Sequence, residues 1–299
     1  MDKQALAQFV QDNPKLVSMK TAKEDIFVLK YKKRVFFDNL WNDFLEECRG
    51  TIVDKNFNVI SRPFTKIYNY GIELRAPKID SKQIVTAYRK INGFMVAMTW
   101  YQDDILVSTT GSIDSEYVDM AREIMLTHQS WSGWQEHIRA AEGYTLMFEC
   151  VHPRDPHIVP EKSGMYFLGQ RENSWNSVVD GYAEFIQWQD LAVKLGCYKP
   201  TAFQTTMGEV QVMARAAQHE GFVIYTQDGL ATKIKTPYYL VNKFVARNPR
   251  TDKIMNDNIW QLVDEEFYPL IYKIRQNIET YTALSEQERL AWVRDYFGS

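Results

Sequence analysis

Phe222-Val-Ile-Tyr-Thr226, Gln227-Asp-Gly229 and Leu230-Ala-Thr-Lys-Ile-Lys235 read as two strands joined by a tight turn. Branched and aromatic residues fill the first run, and Asp-Gly is a favoured two-residue hairpin loop. With Asp228 and Gly229 as that loop, Thr226 faces Ala231, Ile224 faces Lys233 and Phe222 faces Lys235. Glu220 is then expected on the same side of the sheet as both lysines. Two ammonium groups and one carboxylate on one face suit a phosphate beside a metal-bound carboxylate. The plainer alternative is an ordinary charged hairpin.

Working outward, Ile26-Phe-Val-Leu-Lys30 and Arg34-Val-Phe-Phe37 read as strands, as do Gly50–Asp54 and Phe57–Ile60 across Lys55-Asn56. Phe94–Trp100 and Ile105–Thr109 form another hairpin across Gln102-Asp-Asp104. Helical spacing marks Leu6, Phe9 and Val10 before Pro14, then Tyr117, Met120, Ala121, Ile124 and Met125, then Ala183–Leu195 and Gly208–Gln218. Phe185 and Trp188 in the third of these are read as core. Beyond Tyr239 the pattern is helical throughout: Ile259, Leu262, Val263, Phe267, Leu270, Ile271, Ile274 and Ile278 recur, with Pro269 kinking or restarting the helix. Ser285-Glu-Gln-Glu288 is a capping box ahead of Leu290, Val293 and Phe297. The expected class is α+β: antiparallel sheets flanked by helices in residues 1–239, and a small all-helical C-terminal domain in 240–299.

Composition sets limits. The 299 residues are 45% hydrophobic and 24% charged, as in an ordinary soluble globular protein. No apolar run approaches membrane-spanning length, so a cytoplasmic protein without membrane partners is expected. Cys48, Cys150 and Cys197 are too few and too scattered for a disulfide framework or a zinc knuckle, and no histidine pair has metal-ligand spacing. The net charge of −3 means that any nucleic-acid contact needs locally gathered cations. Lys30, Lys32, Lys33 and Arg34 are one candidate face, or else a solvated strand pair.

Lys90-Ile-Asn-Gly93 follows the strand-like Ile84–Arg89, which puts Lys90 at a strand end with a glycine to let the backbone approach a ligand. Alone, Lys90 could be an exposed turn lysine. Downstream, Thr145-Leu-Met-Phe-Glu-Cys150 places Leu146, Phe148 and Cys150 on one strand face, with Glu149 and Met147 on the other. Glu149 is either a ligand for a metal or a ribose, or a solvent-facing glutamate. Lysine, two strand-borne carboxylates and a Lys-x-Lys pair, in that order, suit nucleotidyl transfer through a lysine-AMP intermediate. Such an amine must lose its proton, have its metal held and see the charge on phosphorus neutralised.

These motifs, with Glu47-Cys-Arg-Gly-Thr-Ile-Val-Asp54 and Ser61-Arg-Pro-Phe-Thr-Lys66, resemble the phage-type ATP-dependent RNA ligase 1 family of the covalent nucleotidyltransferase superfamily. The likeness runs from about Tyr31 to about Tyr239. It implies the nucleotidyltransferase fold and joining of RNA 5′-phosphate and 3′-hydroxyl ends, as in RNA repair, with ATP and magnesium or manganese and no obligate protein partner. If the chain is phage-encoded, the compartment is the host cytoplasm. By the same resemblance Lys90 is adenylylated, with Lys233 and Lys235 as catalytic cations. Tyr31, Arg49, Lys66, Tyr68, Gly93, Glu149 and Gly221 bind the nucleotide, and Glu149, Glu220 and Asn92 hold the metal. Leu168-Gly-Gln-Arg-Glu172 resembles a segment that frames the adenine. Plainer readings are a surface salt bridge for Arg49 and core packing for Tyr68. The family has aspartate at Asn92, and close relatives have lysine at Thr110. The alternatives are a catalytically silent nucleic-acid-binding member, or a DNA ligase or RNA guanylyltransferase, which the helical tail disfavours.

Overall fold

A computed structural model of the chain describes residues 1–155, 157–176, 189–247, 254–261, 263 and 265–298. The residues form two compact units: Met1–Ile67 with Ile91–Thr201 and Gln227–Leu230, and Tyr68–Lys90 with Ala202–Thr226 and Ala231–Ser299.

The first unit holds two four-stranded antiparallel sheets. One has the order β1 (Val17–Lys23), β2 (Ile26–Tyr31), β3 (Arg49–Asp54), β4 (Val59–Ser61). The expected strand at Arg34–Phe37 is instead part of a one-turn helix, Lys33–Phe37. Both edges of β2 are already paired, to β1 and β3, so no edge remains for a third strand. The helix buries Val35 completely and pairs Arg34 with Asp38 at 2.8 Å.

The second sheet contains β7 (Phe94–Tyr101), β8 (Asp104–Ser108), β9 (Tyr144–Val151) and β10 (Gly164–Glu172) in the order β10-β9-β7-β8. Gln102 and Asp103 turn the β7–β8 hairpin at φ 51° and 59°, as a tight primed loop demands. Helices Glu116–His128 and Trp131–Ala140 cover this sheet. Their Val118, Ile124, Trp134 and Ile138 join Leu146, Phe148 and Cys150 in one hydrophobic core, as the alternation of β9 foretells. Cys48, Cys150 and Cys197 are free, buried thiols of this unit.

The second unit is built on a five-stranded sheet, β11-β6-β12-β13-β5, from β5 (Tyr68–Asn69), β6 (Ile84–Lys90), β11 (Ala202–Thr206), β12 (Gly221–Thr226) and β13 (Ala231–Lys235). All pairings are antiparallel except β13 with β5. Helix Met207–Ala216 starts at a complete capping box between Thr206 and Glu209. It packs Met207, Val210 and Ala214 on Val85, Ala87, Phe222 and Ile224.

The described residues of the tail are mostly helical. Pro237–Arg247 follows β13 at once and contacts helix Glu286–Gly298. Pro269 sits in the first turn of Tyr268–Gln276, so it starts that helix. Glu288 accepts from the Ser285 N–H at 2.7 Å, and Ser285 Oγ accepts from the Glu288 N–H at 3.4 Å, which completes the expected box. Phe185, Trp188 and Leu262 lie outside the described residues, as does 183–188 of the expected helix Ala183–Leu195, whose described part contains the helix Gln189–Lys194. Among the described residues no helix is long and apolar enough to cross a membrane.

Candidate active site

On the sheet of the second unit, register decides which side chains share a face. Gly221 lies opposite Lys90 on β6 and opposite Lys235 on β13, and Val223 lies between Tyr88 and Lys233. Lys90, Lys233 and Lys235 therefore occupy one face, the one turned away from helix Met207–Ala216. Gly221 itself puts no side chain between Lys90 and Lys235.

The hairpin differs by one residue from the sequence expectation. Tyr225, not Thr226, faces Ala231, and Gly221 and Val223, not Phe222 and Ile224, face Lys235 and Lys233. The turn takes up an extra residue, with Gly229 at φ +84°, as in three-residue loops with a left-handed glycine. A one-residue slip sends side chains to the opposite face. Regular alternation would now part Glu220 from the lysines, and Gly221 brings it back. At φ +147°, Gly221 takes a backbone path that a side chain resists, and a Cβ there would stand 2.0 Å from the Ile234 carbonyl oxygen. Glu220 Oε2 accepts from Lys90 Nζ at 3.0 Å, with the side chains 5% and 22% exposed respectively.

Lys235 Nζ donates to Glu266 Oε1, which also accepts from Lys243 Nζ at 3.1 Å. Burial alone would raise the Glu266 carboxyl, but the Lys235 and Lys243 ammonium groups outweigh it and hold the group far below the usual carboxylate range. Tyr239 sits among these charges, its ring centroid 5.4 Å from Lys235 Nζ and 5.5 Å from Lys243 Nζ. Burial, reinforced by Glu220, pushes its phenol up to about 12. Tyr68 is buried on β5, where its carbonyl accepts from Thr232 Oγ1 at 2.9 Å.

The first unit holds the other expected residues. Glu149 is buried rather than solvent-facing, and its Oε1 accepts from the Gly93 N–H at 3.2 Å. Gly93 is needed for that approach, because a Cβ would lie 2.3 Å from the Cys150 carbonyl oxygen. Asn92 is buried too, and its Oδ1 accepts from the Val159 N–H at 3.1 Å. Lys66 Nζ lies 4.3 Å from the ring centroid of Trp41 and 5.8 Å from that of Phe36. Tyr31 meets Trp41 edge-on at 4.7 Å. Arg49 Nη1 donates to the Thr65 carbonyl at 3.2 Å, one residue from Lys66. Tyr31, Arg49 and Lys66 are thus neighbours.

A family model described as RNA ligase matches residues 47–239. The chain belongs to the RNA ligase family. The matched stretch contains every expected site residue except Tyr31. The RNA ligase of Rhodothermus phage RM378 is 24% identical over 185 residues, which are 49% of this chain and 41% of the phage protein. This RNA ligase family chain therefore matches less than half of that relative's length. Its fold is similar to that of an archaeal ATP-dependent RNA ligase, with a TM-score of 0.60 at 15% identity over 98% of this chain and 76% of that one. It is similar also to a candidate ATP-dependent DNA ligase from Aquifex aeolicus, with a TM-score of 0.59 at 13% identity over 97% and 77%.

Sequence reasoning missed several groups of this RNA ligase family member. Glu47, Arg62 and Arg171, each inside a motif quoted above, form a buried ion network. Arg62 Nη2 and Arg171 Nη2 lie 2.8 and 2.7 Å from Glu47 Oε1. Burial would raise the Glu47 carboxyl, but Arg171 and Arg62 together lower it. A glutamate and two arginines in three family motifs were a signal for this network. Glu266, Lys243 and the Trp41 and Phe36 rings carried none, because only tertiary packing brings them to Lys235 and Lys66.

Proposed function

We propose that the chain is an ATP-dependent RNA ligase that carries AMP on Lys90. The observation that carries this reading is the Lys90–Glu220 pair beside Lys235, on one sheet face of an RNA ligase family chain. Lys90 Nζ attacks the α-phosphorus of ATP, the bond to the bridging oxygen breaks, and pyrophosphate leaves. Glu220 is the adjacent acceptor for the proton that Lys90 must shed. Lys233 and Lys235 neutralise charge on the phosphoryl oxygens. A 5′-phosphate oxygen of RNA then displaces Lys90 from the adenylyl phosphorus. Finally a 3′-hydroxyl attacks the activated phosphate and releases AMP.

Arg49 and Lys66 are the cations we assign to the polyphosphate, with Tyr31 and Tyr68 assigned to the nucleoside. Among the described residues no three His, Cys, Asp or Glu side chains form a metal cage. Single buried carboxylates such as Glu149 and Glu220 instead suit a hard cation shared with substrate phosphate, and Asn92 offers a neutral oxygen. A bound magnesium or manganese ion would supply charge neutralisation during phosphoryl transfer. To residues 1–239 we assign the AMP chemistry, and to 240–299, whose described residues are mostly helical, an influence on RNA choice.

Incubation with α-labelled ATP, in parallel with GTP, and a denaturing gel test the reading. ATP-specific label that is absent in Lys90→Ala supports it, and label that persists in Lys90→Ala but vanishes in Lys235→Ala overturns it. Sealing assays on RNA and on nicked duplex DNA then separate an RNA ligase from a DNA ligase.

A further inference from the structure

Glu266 is a buried acidic side chain that the chemistry above does not use. It lies in the tail, 31 residues beyond Lys235, and is 4% exposed. Its Oε1 takes both Lys235 and Lys243. The Tyr239 ring lies beside both ammonium groups, and Lys233 also acts on Glu266 through its charge. Asn69 Nδ2 donates to neighbouring Glu265 at 3.2 Å, which ties this short segment to the edge strand next to β13. One carboxylate oxygen gathering two lysines is also how a phosphate oxygen would be held.

We propose that Glu266 is a built-in stand-in for phosphate: it occupies Lys235 and Lys243 until a polyphosphate group displaces it, and so sets how tightly that face holds polyphosphate. This rests on reading Lys235 as a phosphate-holding lysine. Lys235 shares its face with Lys90, the two lying on either side of Gly221. An anion there must compete with Glu266, since two anions cannot share one pair of ammonium groups without repulsion. Displacing a buried carboxylate opposes ligand binding, so removing its charge strengthens binding.

The test is calorimetric titration of the full chain with inorganic pyrophosphate. Glu266→Gln is expected to bind pyrophosphate about fivefold more tightly than the parent, the size of a modest charge–charge coupling. The gain should vanish in Glu266→Gln/Lys235→Met. In self-labelling, Glu266→Gln should lower the KM for ATP without raising kcat. If Glu266 only braces the fold, Glu266→Gln melts earlier with an unchanged or weaker pyrophosphate Kd, and the proposal is overturned; a gain that survives Lys235→Met overturns it equally. Should Glu266→Gln fail to fold, Glu266→Asp draws the charge back by one methylene and should tighten binding by a smaller factor. An equal or weaker Kd there sinks the idea. The pyrophosphate titration needs no adenylylation. A parent that never labels with ATP but shows the gain therefore removes the ligase reading and leaves this one standing. A parent that labels without the gain does the reverse.

Discussion

Arg171 grips Glu47 through two hydrogen bonds, Nη1 to Oε2 at 2.9 Å and Nη2 to Oε1 at 2.7 Å. Arg62 donates to the same two oxygens at 2.8 and 3.2 Å. All three side chains are buried. One glutamate thereby fastens the start of β3, the residue after β4 and the end of β10. Glu47→Gln leaves two buried guanidinium groups without their carboxylate, and should cost about 3–5 kcal/mol. A urea midpoint that stays at the parent value would show the network to be dispensable.

Gly221→Ala is expected to lose both stability and self-labelling. Its φ penalises a side chain by about 1–3 kcal/mol, and the new Cβ meets a backbone carbonyl that belongs to the sheet itself. Relief requires β12 to shift away from β13 at Gly221, which disturbs the backbone path that delivers Glu220 to Lys90. Thermal melting and ATP labelling of the same preparation check this, and parent-like values in both would refute the role given to Gly221.

Much of this was legible in sequence. The β7–β8 hairpin, the helix marked by Tyr117 to Met125, the capping box at Ser285 and the position of Lys90 at the end of β6 follow from local patterns, because periodicity and turn chemistry act over a few residues. The β12–β13 register was not, since Asp228-Gly229 fits both a two-residue and a longer loop. Arg34–Phe37 misled for another reason. Its apolar run suits a strand, but the partner edge had gone to Val17–Lys23, which the sequence does not mark strongly. Glu266 was illegible because its meaning depends on Lys235 and Lys243, and no local pattern encodes that meeting.

Glu149→Ala and Glu220→Ala should stay folded and lose adenylylation, with partial recovery at high magnesium or manganese. A carboxylate that acts by holding a cation can be offset by more cation. Labelling equal to the parent at low metal would remove both residues from the mechanism.

Asn92→Asp should be tolerated structurally, because a carboxylate oxygen can still accept the Val159 N–H. The added negative charge favours a cation and disfavours a neutral lysine nearby. The adenylylation pH profile should shift upward and the magnesium requirement fall. An unchanged profile and requirement would place residue 92 out of electrostatic reach of the reaction.

Acid should weaken the second unit through Glu266. Its folded carboxyl lies far below the ordinary value of 4.5, so the unfolded chain takes up the proton first as pH falls. The stability it contributes is complete above that ordinary value and is lost on acidification through the folded value. Between about pH 5 and about pH 2.5 the parent's urea midpoint should therefore drop more than that of Glu266→Gln. Equal drops in the two proteins would remove Glu266 from the acid response.

The three cysteines give the molecule an internal reporter. Cys48, Cys150 and Cys197 all belong to the first unit, all are buried, and burial pushes Cys48 and Cys197 up to about 12 and Cys150 higher still. The thiolate is the form that attacks alkylating reagents, so modification under native conditions has to wait for that unit to open. Alkylation rates then time the opening of one half of the protein while remaining blind to the sheet that carries Lys90. Comparing those rates with loss of self-labelling during denaturation would reveal which half gives way first.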